Sequence, residues 1–171
     1  MSEVLLSDSP NVHPVDPKER RDVRRALDHW LRQISAESPI PLLKVFDFSS
    51  IKDDWNCRFL ICTDQHVENA AFVAYGTDFA KLLGLPERVA GITRLAEQIP
   101  ERYRELFAEG CSKATAKRAP ARFSGEFEND FTVELYRAVF LPIQLHPSWS
   151  KWLIFGSFNS CTTLSVDKKA Q

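Results

Sequence analysis

Arg137 is the residue of this chain most in need of a chemical partner. It falls in the apolar half of an alternating run, sharing its parity with Phe131, Val133, Leu135, Val139 and Leu141, while Thr132, Glu134, Tyr136, Ala138 and Phe140 take the other parity. A guanidinium left unpaired among apolar side chains is strongly destabilising. Arg137 therefore requires a carboxylate such as Glu126 or Glu134, a set of carbonyls, a way out to solvent, or an anionic ligand. The last option makes it the candidate anchor for an acidic small molecule. Glu134 and Tyr136 share the opposite parity and are of the types that transfer protons inside an apolar cavity, where burial raises a carboxylate's pKa. They carry a weaker alternative, a cone-shaped α+β enzyme of the isomerase or dehydratase type. No Gly-x-Ser-x-Gly, His-Glu-x-x-His or phosphate-cradling loop is present, and the chain has only 6 glycines. No catalytic residue is assigned, and the chain is read as a non-enzyme.

The remaining reactive types offer less. Cys57, Cys62, Cys111 and Cys161 include one close pair, without the second pair that a zinc site needs. They read as free thiols packed as small apolar residues. His13, His29, His66 and His146 show no ligand spacing and read as surface residues, so no metal site is expected. Lys113, Lys117, Arg118 and Arg122 are followed by Glu126, Glu128 and Asp130, an alternation that suits a solvated surface. With 22 basic and 23 acidic residues the formal net charge is −1, which removes the electrostatic basis for binding nucleic acid. The hydrophobic fraction of 44% and charged fraction of 26% are those of a folded globular chain. Neither a secretory signal nor a run approaching the ~20 apolar residues of a membrane span is found. A cytoplasmic protein that does not engage membranes is expected.

These residues depend on the elements around them. Asp16 and Pro17, with Glu19 in capping-box position, open a helix over about 17–35 whose Val23, Ala26, Leu27, Trp30, Leu31 and Ile34 form one apolar face. That stripe must pack on its own domain or on a second copy. Cys57–Cys62 and Ala70–Tyr75 read as neighbouring antiparallel strands. A short helix follows, capped by Thr77 or Asp78 and terminated by Gly84, and then a single turn at 85–91. Pro100 opens a longer helix with Tyr103, Leu106, Phe107, Cys111 and Ala114 at helical intervals, ending before Ala119-Pro120. Three strands complete the chain, around 123–127, 131–141 and 149–162. The expected organisation is a mobile lead-in at 1–15, the amphipathic helix segment at 16–38, an α+β domain at 39–163 and a flexible tail at 164–171.

This order of elements, with its motifs, resembles a PAS domain. Ala71 to Gly84 looks like the family's second strand and first short helix, Val89-Ala90-Gly91 like the glycine before its connecting segment, and Ile99-Pro100-Glu101-Arg102 like the start of its long connecting helix. The leading helix, Leu82-Leu83-Gly84, Arg137 to Pro142 and Trp152 to Ser157 are similar to small stand-alone bacterial PAS-type proteins, and the resemblance covers about residues 20–163. It implies a five-stranded antiparallel sheet with short helices on one face and an N-terminal amphipathic helix. It also implies a ligand pocket between sheet and long helix, lined by Tyr103, Phe107 and Cys111 from the helix and by Phe131, Val133, Leu135, Arg137 and Val139 from the sheet. The same side chains can instead simply fill the core. The family commonly dimerises through its leading helix, which would place Val23, Leu27, Trp30 and Leu31 at a homodimer contact with Trp30 as anchor.

Cofactors are not expected. Asn56-Cys57-Arg58-Phe59-Leu60 matches the core of the flavin-adduct motif of light-sensing relatives, but it lies before the second strand, and Ile92–Glu97, where the adduct would fall, has no cysteine. A haem ligand of the oxygen-sensing type would be a His on the long helix, and residues 100–118 contain none. The resulting expectation is a sensory or regulatory module that binds a small molecule or a signalling protein and transmits through dimer geometry. No kinase, cyclase or DNA-binding segment is recognised beside the domain, so output would pass through another protein.

Overall fold

The computed structural model describes residues 17–35, 38–49, 55–64, 66–89 and 93–164. The lead-in at 1–15, the cap at Asp16 and the tail from 165 lie outside the described residues. Helix α1 covers Pro17–Arg32, ending one turn earlier than the apolar pattern suggests. Strand β1 (Arg58–Thr63) and strand β2 (Ala71–Tyr75) lead into helix α2 (Thr77–Leu83). Strand β3 (Thr93–Arg94) and helix α3 (Leu95–Gln98) precede the long helix α4 (Glu101–Lys117). Strands β4 (Ala121–Glu128), β5 (Thr132–Gln144) and β6 (Trp152–Leu164) close the chain.

The architecture is α+β, as expected. Five long strands form an antiparallel sheet, with the two-residue β3 added at one edge, in the order β3-β2-β1-β6-β5-β4. The β5–β6 hairpin is its spine: each strand has 13 residues, paired in unbroken register from Thr132↔Leu164 to Gln144↔Trp152. Helices α2, α3 and α4 cover one face, and α1 covers part of the other.

The α1 stripe finds its partner within the chain. Val23, Ala26 and Trp30, spaced at i, i+3 and i+7, are buried against Val139, Leu141, Ile143, Leu153 and Phe155 of β5 and β6. The Trp30 indole Nε1 donates to the Pro142 carbonyl at 2.8 Å, which satisfies its polar atom inside an apolar contact. Arg58, 1% exposed, fixes the helix from β1 by donating through Nη1 to the Asp22 carbonyl at 2.6 Å.

On the opposite face, α4 lies close to the sheet because of Gly110. A Cβ there would sit 2.4 Å from the Phe140 ring, so any larger residue would force helix and strand apart. Gly84 ends α2 in the left-handed conformation at φ +65°, as its position predicts. The other end of α2 differs from expectation: Gly76 is the N-cap, without a side-chain bond, and neither Thr77 nor Asp78 fills that role. Leu85–Val89 is not a helical turn. Among the described residues no helix is long and apolar enough to cross a membrane.

Candidate functional site

The space between α4 and the sheet is the expected pocket, and aromatic rings occupy it. Tyr103, Phe107 and Cys111 face it from α4, as their spacing predicts, and all three are fully buried. The Phe107 ring meets Phe59 and Phe140 at 5.4 Å, Phe158 at 5.6 Å and Phe79 at 6.0 Å between centroids. Phe59 also touches Phe79 at 5.3 Å and Phe140 at 5.4 Å. These separations and tilted or edge-on geometries are those of directly packed rings. Burial pushes the Cys111 thiol up to about 12, so it is a neutral, inert side chain in this core.

The sheet side of this core is made by the other parity of β5. Ala138 and Phe140 pack with α4, and Tyr136 joins them at the margin, while Val139 packs beneath α1 with Val23 and Trp30. Strand alternation then carries Val133, Leu135 and Arg137 to the α1 face as well. The expectation that these four line a pocket with Tyr103, Phe107 and Cys111 is therefore corrected: the sheet separates the two groups. Phe131 lies before β5 and is 76% exposed. Sequence parity misled because β5 is apolar on both faces, each having its own helix, and the more aliphatic parity belongs to α1.

Arg137 lines a shallow polar cleft of about 270 Å³ with Val23, Arg122, Phe123, Ser124 and Ala138. It lies across from Ser124 on β4 and Asn159 on β6, and it has interactions of its own within the chain. It is half-buried beside the first turns of α1, away from the aromatic core. Glu134, one of its two expected partners, is on the opposite face.

Glu134 is the centre of a polar cluster that sequence reasoning missed. Its Oε1 accepts from the Tyr103 hydroxyl and, at 2.7 Å, from Ser160 Oγ; its Oε2 accepts from Arg102 Nε at 3.1 Å. Arg102 Nη2 also donates to the Tyr103 hydroxyl at 2.9 Å, with its guanidinium 4.4 Å from the Tyr103 ring centre. Burial, and then the bond to Glu134, raise the Tyr103 phenol above its ordinary range, so it stays protonated as a donor. Three donors on one carboxylate make a latch between the start of α4 and the open end of the β5–β6 hairpin, away from its turn. The Glu134–Tyr136 pairing expected from parity does not form: both face α4, but Tyr136 stacks on Phe127 at 4.9 Å. The one available signal was Arg102-Tyr103 at the start of α4, a cation and a phenol facing a strand glutamate across 31 residues.

The expected dimer residues divide. Val23 and Trp30 are covered by the chain's own sheet, Leu27 is half-buried, and Leu31 is 45% exposed. His29 is buried, contrary to its reading as a surface residue: its Nε2 lies 2.7 Å from the Asp47 carbonyl, and its ring meets Phe46 edge-on at 5.2 Å. His66 and His146 are exposed, and His13 lies outside the described residues. Cys57, Cys62 and Cys161 are half-buried free thiols.

No family model matches the chain, and no curated protein matches it. Among solved structures, it is similar to a domain of an HTR-like protein from Haloarcula marismortui ATCC 43049, with a TM-score of 0.41 and 12% sequence identity, over 59% of this chain and 96% of that domain.

Proposed function

We propose that this chain is a PAS-like regulatory module that works by binding another protein, with a core closed by its own side chains. The carrying observation is the aromatic filling between α4 and the sheet. Phe59, Phe79, Phe107, Phe140 and Phe158 are all 0% exposed, and they occupy the volume that a small-molecule sensor would keep for its ligand. The polar latch supports the same reading. Glu134 already accepts from Arg102, Tyr103 and Ser160, which commits its oxygens to holding α4 in place. No catalytic step is assigned to it.

A small-molecule reading has one feature in its favour, where α3 and residues 67–69 meet α4. Val67, Glu68, Leu95, Ala96, Ile99, Arg104 and Ala108 line a half-open, mainly apolar groove of about 250 Å³. That is below the usual volume of drug-sized sites, roughly 300–1,000 Å³. The deciding experiment is a native mass spectrum of the purified protein. The expected result is the bare polypeptide mass or a simple multiple of it. A reproducible additional mass, lost on denaturation, would overturn the closed-core reading in favour of a sensor.

A further inference from the structure

The sheet ends differently at its two edges. β3 is two residues long and offers little backbone to a partner. β4 is eight residues long, pairs with β5 in unbroken register from Ala121↔Phe140 to Glu128↔Val133, and has no strand on its other side among the described residues. It contains neither a proline nor a bulge, two of the devices that blunt an edge; it does carry charges, Arg122, Glu126 and Glu128, which oppose indiscriminate pairing and admit only a partner strand that complements them. Its side chains alternate cleanly: Arg122, Ser124, Glu126 and Glu128 are exposed on the α1 face, while Phe123, Gly125 and Phe127 are half-buried on the α4 face.

The strand Ala121-Arg122-Phe123-Ser124-Gly125-Glu126-Phe127-Glu128 is self-complementary when read antiparallel about Gly125. Arg122 falls opposite Glu128 of a second copy, Ser124 opposite Glu126 and Phe123 opposite Phe127, so one face carries charge-paired and hydrogen-bonding partners and the other an aromatic pair. Directly opposed residues of an antiparallel pair have Cβ atoms about 4.5–5.5 Å apart, within reach of all these contacts. Neighbouring registers lose this match. Centring on Glu126 sets that carboxylate against its own copy; centring on Ser124 keeps a charge pair, Arg122 with Glu126, but leaves Phe123 opposite Gly125 and loses the aromatic match. Parallel pairing sets Arg122 beside Arg122 and each glutamate beside itself.

We infer that β4 is a homodimerisation edge, pairing antiparallel with β4 of a second copy about a two-fold axis at Gly125 to join two sheets into one. The interface is isologous, so each complementary pair occurs twice. Glu128 has contacts within its own chain, and a carboxylate has acceptor capacity for a further donor. At Gly125 itself the absent Cβ leaves room for the chain's own Tyr136, whose hydroxyl lies 2.6 Å from where that Cβ would be. This inference goes beyond the closed-core reading and stands whether or not the core takes a ligand.

The test is sedimentation velocity from low to high micromolar concentration on the full chain and on Arg122→Glu, Glu128→Arg and the double reversal. The wild type is expected to dimerise. Each single reversal sets two like-charge pairs against each other and is expected to weaken the dimer about tenfold or more, and the double reversal to recover it to within about threefold. A monomeric wild type, single reversals that dimerise like the wild type, or a double reversal that does not recover would each overturn the inference. Circular dichroism and urea midpoints identify a variant that fails to fold; the other single reversal and the double then decide.

Discussion

The two faces of the sheet are closed by different means. Beneath α4, rings pack on rings, and the helix is drawn close by Gly110 and fastened at its first turn by Tyr103, Arg102 and Glu134. Beneath α1 the contact is a narrower stripe of Val23, Ala26 and Trp30, with one indole bond to the strand carbonyl of Pro142. The long hairpin runs past the cover of α1, leaving Val133, Leu135 and Arg137 half-exposed. One face is a core; the other is part core and part surface. An apolar alternation therefore groups the side chains of one face, without reporting what covers that face or how far the cover extends.

The largest effects should come from removing a ring on either side. Phe107→Ala is expected to cost about 3–5 kcal/mol, because its four ring neighbours cannot collapse into the space. Trp30→Ala should cost a similar ~3–5 kcal/mol if α1 belongs to the same cooperative unit. Urea denaturation monitored separately by near-UV and far-UV signals checks both. A Trp30→Ala loss well under ~1 kcal/mol, with the rest of the sheet intact, would make α1 a detachable element rather than part of the fold.

Gly110→Ala probes how tightly the α4 face is set. The added methyl group meets the Phe140 ring, and an overpacking cost of about 1–3 kcal/mol is expected. Pairing it with Phe140→Leu should recover part of the loss, and a double-mutant cycle reads that recovery directly.

Alkaline pH probes the α4 face by titration. Cys111 and Tyr103 both have folded-state pKa values above their ordinary ones, so the native state holds protons that the unfolded chain releases. Their contribution is complete below the unfolded values and is lost as pH rises, for Cys111 between its ordinary value near 9 and about 12. Stability of the wild type should fall across that window, and Cys111→Ala should flatten the fall. The native thiol should also resist disulfide reagents that modify Cys57, Cys62 and Cys161. Unchanged pH dependence in Cys111→Ala would mean that the thiol is not sealed in the core.

Leu31→Ala marks the small end of the scale. At 45% exposure it should change monomer stability by no more than about 0.5 kcal/mol. If that variant weakens self-association, the outer side of α1 contributes to assembly along with, or instead of, the β4 edge.

Much of this was legible from residue order. The amphipathic helix was clear from Val23, Ala26 and Trp30, the inward face of α4 from Tyr103, Phe107 and Cys111, and the end of α2 from Gly84, because each signal is local and periodic. Boundaries slipped by a few residues where termini carry little side-chain information, as at Arg32. The candidate site was less legible. The Glu134 latch joins residues distant in sequence, and Arg137 was assigned to the wrong face.

Residue order alone settled the periods of the longer elements: which of them are helices and strands, which side chains share a face, and that the whole is an α+β chain with an antiparallel meander; the short β3 and α3 carry no such period and were not read. Those properties follow from backbone geometry at 3.6 and 2 residues per repeat and from the pairing of apolar residues within one element. The assembled fold settled the pairings between elements: that α1 closes on its own sheet, that Phe107 takes the place of a cavity, that Tyr103 reaches Glu134, and that β4 is left at the edge. Both parities of β5 are apolar enough to be buried. The choice between them depends on the helix that lands on each side and the shape it brings, which no local period encodes.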